Sequence, residues 1–171
     1  KNLKIYQDSN FFSFSLDSVI LSNYVNIRKR DKVIVDFCTG NGVVPLILSR
    51  RTNRNIIGVE IQDKIANLAR KSVSYNDLGN QITIVCDDVK SYSKDHLNEV
   101  DLLLCNTPYF KVQENSSFNL SYEKMVARHE LLLDFSELCS CAKKVLKDNG
   151  IFCFVHRSER FLDLLIELRK H

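Results

Sequence analysis

The run Val33-Ile34-Val35-Asp36 ends on a carboxylate and passes through Phe37 into Cys38-Thr39-Gly40-Asn41-Gly42, after which Val43 to Arg50 has the length and apolar content of a helix. β-branched residues favour the extended backbone, and the two glycines allow the chain to reverse tightly. A strand that turns directly into a helix needs a parallel neighbour for that helix to cover, so this one unit commits the chain to a layered α/β arrangement. The rest of the sequence supplies the neighbours. Asn55 to Glu60 reads as a second strand, and Asp63 to Asn76 as a helix with Ile65, Leu68, Ala69 and Val73 near the helical period and Asp63 as its N-cap. Gln81 to Cys86 is predicted as a third strand, Val100 to Asn106 as a fourth, Glu130 to Lys147 as a helix, Ile151 to His156 as a fifth strand and Ser158 to Lys170 as a final helix. Asp148-Asn149-Gly150 is expected to stop the helix before the fifth strand. The expected fold is α/β, with a mainly parallel sheet and helices on both faces. With 171 residues and 44% hydrophobic content, a single domain over 1–171 can build one sizeable core.

Bulk properties exclude less than they permit. A net charge of +3, from 24 basic and 21 acidic residues, allows a nucleic-acid partner without requiring one. Cys38, Cys86, Cys105, Cys139, Cys141 and Cys153 show no paired metal-ligand spacing and mostly lie in apolar runs, so they read as reduced, buried thiols with no metal. The sequence has no apolar stretch near the ~20 residues of a membrane span and no charged-then-apolar leader, which points to a cytoplasmic protein with no membrane partner.

The turn carries the first chemistry. Asp36 precedes Gly40 and Gly42, and Glu60 closes the next strand with Ile61 beside it. Glycines let backbone N–H groups approach a ligand, and an acid at the next strand end can accept hydrogen bonds from both hydroxyls of a ribose. The third glycine of a dinucleotide fingerprint is absent, since Pro45 stands there. A carboxylate ahead of the glycines would repel a pyrophosphate but attract an ammonium group. A nucleoside-bearing cofactor is implied, and once the motif after the fourth strand is counted S-adenosyl-L-methionine is the expected one, with Asp36, Gly40, Gly42, Glu60 and Ile61 around it. Asp87 and Asp88 follow the third strand, and Asp88 is placed to accept from the cofactor's adenine amine.

The fourth strand ends in Asn106-Thr107-Pro108-Tyr109-Phe110, directly after Leu102-Leu103-Leu104-Cys105. The exocyclic nitrogen of an adenine is planar and weakly nucleophilic because its lone pair is delocalised into the ring. Two acceptors for its two hydrogens, the Asn106 side-chain oxygen and the Thr107 backbone carbonyl, would draw it toward tetrahedral geometry. Pro108 stiffens the turn, and Tyr109, with Phe110 next to it, offers a face on which the base can stack. Asn106 also borders the cofactor. The polar stretch from Lys111 to Lys124 then reads as a substrate loop.

Together these segments resemble the class I methyltransferases with an Asn-Pro-Pro-Tyr motif, with Thr107 where the first proline usually stands. Phe12-Ser13-Phe14-Ser15-Leu16-Asp17-Ser18-Val19-Ile20-Leu21 and Ala127-Arg128-His129-Glu130 narrow the likeness to the bacterial tRNA (adenine-N6) methyltransferases that modify the adenine beside the anticodon of valine tRNA. The resemblance implies a Rossmann-like fold, methyl transfer to the N6 of an adenine in RNA, and tRNA as partner. It also implies a segment ahead of Lys1 and an antiparallel hairpin after the final helix, so the chain is expected to be incomplete at both ends.

Several of these residues also have plainer readings. Phe12, Phe14 and Leu16 alternate like a half-buried strand leading into a helix capped near Asp17, which is a structural role as readily as a cofactor wall. Arg128 is expected to hold an RNA phosphate or a carboxylate near a helix start. His129 is not needed as a base, because the proton shed after methylation can pass to solvent. Arg28-Lys29-Arg30, Arg50-Arg51 with Arg54, and Lys143-Lys144 are potential RNA contacts or ordinary solvated faces. Two other functions stay open: N5 methylation of a protein glutamine, whose amide is also planar, and a non-catalytic cofactor module or drifted NAD-dependent oxidoreductase.

Overall fold

Strands β1 (Val33–Phe37), β2 (Asn55–Glu60), β3 (Ile82–Cys86), β4 (Val100–Asn106) and β5 (Leu146–Val155) form one sheet in the order β3-β2-β1-β4-β5. All four pairings are parallel. The computed structural model describes residues 2–8, 13–107 and 133–171. Within these, the helices are α1 (Leu16–Tyr24), α2 (Val43–Leu48), α3 (Asp63–Tyr75), α4 (Val89–Asp95), α5 (Phe135–Val145) and α6 (Phe161–Lys170), with a short 3-10 turn at Ser158–Arg160 before α6. The expected Rossmann-like α/β fold is the observed one.

Alternation along the strands divides the core in two. Ile34, Ile56, Leu102 and Leu104 face Leu21 of α1, Val44 and Leu46 of α2, and Ala66, Ala69 and Val73 of α3. Val35, Phe37, Val59, Leu103 and Cys105 face Val89 and Tyr92 of α4 and Leu138, Cys141, Ala142 and Val145 of α5. Apolar residues therefore occupy both faces of β1 and β4, as central parallel strands require. The chain runs outward from β1 to β3 and then crosses back to β4 on the other side of β1. That reversal leaves a crevice at the carboxyl ends of β1 and β4, where open α/β sheets receive their ligands.

Several local expectations need correction. Gln62, not Asp63, is the N-cap of α3; Asp63 is the first helical residue, and its carboxylate accepts from Asn67 one turn on at 3.0 Å. A short helix absent from the sequence reading, α4, fills the connection from β3 to β4. The helix before the fifth strand ends at Val145 rather than Lys147, because Leu146 already pairs with Val100. Asp148-Asn149-Gly150 then lies within β5, with Asn149 at φ +62° beside a register shift against β4. No strand precedes α1 among residues 13–15; Ser15 is the N-cap, and Phe14 and Leu16 are exposed. All six cysteines are free, but Cys86, the last residue of the edge strand β3, is exposed. No helix among the described residues is long and apolar enough to cross a membrane.

Three of the basic residues named as candidate RNA contacts or solvated faces, Arg28, Arg51 and Arg54, are tied to backbone near the amino ends of the strands. Arg28 pairs with the fully buried Asp31 at 2.8 Å and donates to the backbone oxygens of Asn149 and Asp101. Arg51 donates to the carbonyls of Ser22 and Val25, and Arg54 to that of Lys29. Because the sheet is wholly parallel, this edge lies opposite the crevice.

Candidate functional site

The turn after β1 is built from unusual backbone. Cys38 (φ +56°), Gly40 (φ +56°) and Gly42 (φ +78°) all occupy the left-handed region. At Gly42 a side chain would also meet the Ala69 Cβ of α3 at 3.3 Å, so glycine is required twice over. Cys38 adopts this conformation without a glycine's freedom, a form of local strain found where a turn serves a ligand. Gly58, which the sequence reading passed over, is also part of the construction. It pairs with Asp36, and a Cβ there would lie 2.8 Å from both branches of the Thr39 side chain and 2.9 Å from Ile84. The available signal was a glycine inside a strand, which marks close approach of another chain segment.

Glu60, only 4% exposed, clamps the turn. Its Oε2 accepts from the Gly40 N–H and its Oε1 from the Gln62 N–H, both at 3.0 Å. Each carboxylate oxygen can accept more than one hydrogen bond, so this clamp is compatible with further donors such as ribose hydroxyls. Ile61 beside it is partly exposed at the same edge.

Asp36 is 1% exposed, and neither carboxylate oxygen has a hydrogen-bond partner among the described residues. Burial pushes its pKa up to about 7; the nearby Thr39 hydroxyl favours the anion without meeting hydrogen-bond geometry, while Glu60's charge adds to the rise. A buried carboxyl left without a partner is costly, and it selects for a cationic or donor group arriving from outside. The neighbouring Cys105 thiol is pushed well above its usual value by contact with Cys38 and by burial.

Asp88, expected near the cofactor's base, lies at the end of β3 and caps α4: its Oδ1 accepts from the Lys90 N–H at 2.8 Å. Asn106 ends β4. Its Nδ2 donates to Ser18 Oγ at 2.9 Å and to Ser15 Oγ at 3.3 Å, so the side chain is anchored to α1. The buried Thr107 donates its hydroxyl to the Val155 carbonyl at 2.6 Å. That bond ties the loop to β5 where a proline would have supplied stiffness by its ring. Pro108, Tyr109, Phe110 and Arg128, with Ala127, His129 and Glu130, lie outside the described residues. The site thus brings together Asp36, Gly40, Gly42, Glu60 and Asn106 on neighbouring strand ends. Ser15 and Ser18, which hold the Asn106 amide, and Gly58, under the turn, were not assigned to the site from sequence. Burial holds the His156 imidazole below its usual pKa.

Comparison with known proteins bears on this geometry. A family model described as "Methyltransferase domain" matches residues 34–150, more than half the chain. A Bacteroides fragilis protein named tRNA1(Val) (adenine(37)-N6)-methyltransferase is 28% identical over 168 residues, covering 96% of this chain and 69% of the relative. A Yersinia enterocolitica protein of the same name is 28% identical over 141 residues, covering 81% of this chain and 55% of its own length. Among solved structures, a predicted O-methyltransferase from Agrobacterium tumefaciens superposes with a TM-score of 0.66 at 14% identity, covering 88% of this chain and 66% of the other. A SAM-dependent O-methyltransferase from Thermotoga maritima gives 0.65 at 18% identity, covering 93% and 51%. These two likenesses speak to the fold.

Proposed function

The chain belongs to the methyltransferase domain family, and from that premise we propose that it methylates the exocyclic N6 of an adenine in RNA, the tRNA adenine just 3′ of the anticodon being the favoured site. The methyl donor is S-adenosyl-L-methionine, which supplies a methyl group on a positively charged sulfur. The residues fit such a ligand: a buried, unpartnered carboxyl at Asp36 stands beside a left-handed glycine turn and a clamped acid at Glu60. Asp36 would hold the amino-acid portion, Gly40 and Gly42 would allow close backbone approach, and Glu60 with Ile61 would hold the ribose. Asp88 would face the base while capping α4.

The observation that carries the substrate reading is the place of Asn106. It ends β4 immediately beside β1, whose own end bears Asp36 and the glycine turn, and Thr107-Pro108-Tyr109 follows it. In this reading the Asn106 oxygen and the Thr107 carbonyl accept the two amine hydrogens, Tyr109 and Phe110 hold the base, and the released proton goes to solvent. An adenine inside a duplex could not reach these acceptors, so the target base is unpaired or extruded, as in an anticodon loop. The names borne by the Bacteroides and Yersinia relatives support tRNA as the partner. In this reading phosphate contacts from basic side chains such as Arg128 would make RNA binding weaken as salt rises.

The test is transfer of a labelled methyl group to total RNA, DNA and protein, followed by unmodified valine tRNA. Product should depend on the single adenine 3′ of the anticodon and vanish when it is replaced by guanine. Incorporation that survives the replacement refutes the position, and incorporation into protein alone transfers the reading to glutamine.

A further inference from the structure

Asn106 is held by an element 88 residues away in sequence. Ser15 occupies the N-cap position of α1, where a serine hydroxyl ordinarily accepts from the helix's own first N–H groups. It makes no such bond here. Instead Ser15 and the buried Ser18, one turn further along, present their hydroxyls to the two hydrogens of the Asn106 amide. A primary amide carries its oxygen and nitrogen on opposite sides of Cγ. With both N–H bonds directed at α1, the plane of the amide is fixed and Oδ1 is turned away from the two serines.

We propose that Ser18, assisted by Ser15, is a positioning residue for methyl transfer, holding the Asn106 amide so that its oxygen meets the reacting amine. This rests on the reading of Asn106 as the acceptor of an amine hydrogen. The requirement is geometric: acceptors that reshape a planar nitrogen act only when held close to the productive position, and an asparagine with two free torsions is poorly suited to that alone. The two hydroxyls remove that freedom. They also explain why a polar side chain occupies the buried position Ser18 against the end of β4.

The experiment compares Ser18→Ala, Ser15→Ala, Asn106→Ala and the double variant Ser18→Ala with Asn106→Ala in the intact protein, with labelled methyl transfer to RNA and S-adenosylhomocysteine binding as readouts. Ser18→Ala should lower kcat by roughly tenfold to a hundredfold while cofactor affinity changes by less than about twofold, and Ser15→Ala, with its longer bond, should lower kcat by a smaller factor. Ser18→Thr, which restores the hydroxyl, should recover most of the rate. In the Asn106→Ala background the loss of Ser18 should cost nothing further, because the group it positions is gone. Undiminished kcat in Ser18→Ala, or losses that multiply in the double variant, overturn the positioning role even if Asn106→Ala is inactive. Full turnover by Asn106→Ala overturns the acceptor reading itself, and the positioning role with it.

Discussion

Replacing Asp36 with asparagine should make the ligand-free protein more stable at neutral and alkaline pH while weakening its hold on the cofactor. In the folded chain the Asp36 carboxyl keeps its proton up to about 7, against an ordinary value of 3.8. The folded state therefore binds more protons than the unfolded state between these values. Asp36's contribution to stability is whole below about pH 3.8, is lost as pH rises toward 7, and changes no further above it. At ~1.4 kcal/mol per tenfold change in proton activity, the total penalty is ~4 kcal/mol, of which ~3 kcal/mol accrues between pH 5 and 8. Asparagine cannot ionise, so its only penalty is a pH-independent one. The difference in unfolding free energy between Asp36→Asn and the parent should thus grow by ~3 kcal/mol from pH 5 to 8, or roughly 6–12 °C in melting temperature for a chain of this size. Urea unfolding across that range measures it, and using the slope with pH removes any constant cost of burying the amide. S-adenosylhomocysteine should stabilise the parent more at pH 8 than at pH 5, as Asp36 becomes an anion facing an ammonium, and should stabilise Asp36→Asn much less. A stability difference that stays flat from pH 5 to 8 would refute the reasoning, since the carboxyl would then ionise as it does in the unfolded chain.

Glu60→Ala removes the acceptors for the Gly40 and Gln62 N–H groups and should abolish most thermal stabilisation by S-adenosylhomocysteine; NAD should stabilise neither form, and equal protection by NAD would sink the cofactor's placement. Gly58→Ala forces a Cβ to 2.8 Å from both branches of Thr39 and should destabilise the protein by ~1–3 kcal/mol with loss of cofactor affinity, as the turn is pushed out. An unchanged urea midpoint would mean that Thr39 can withdraw. Tyr109→Phe should keep most methyl transfer, whereas Tyr109→Ala should lose a stacking contact worth roughly 1–3 kcal/mol; equal damage by both would assign the role to the hydroxyl.

Local chemistry was legible in the residues themselves. Asn55–Glu60 and Val100–Asn106 form strands within the bounds their β-branched and apolar runs set, because such runs leave few alternatives to a buried strand. The glycines after Asp36 declared a turn for a similarly local reason: only a residue without a Cβ adopts φ +78° against Ala69 at no cost. Element ends were less legible where pairing overrides propensity. Leu146 follows a helical pattern, yet its ladder with Val100 draws it into β5, and Asp148-Asn149-Gly150 becomes a bulge rather than a stop. The sequence alone could not order the strands, and that order decides the site. Once β4 returns to pair with β1, Asp36 and Asn106 become neighbours and the Arg28 cluster is carried to the opposite edge. Packing of α1 against β4 then brings Ser15 and Ser18 to Asn106 at the carboxyl edge, across 91 and 88 residues. Propensity and capping act over a few residues, whereas such meetings are fixed by which helices cover which face of the sheet, a property of the whole core.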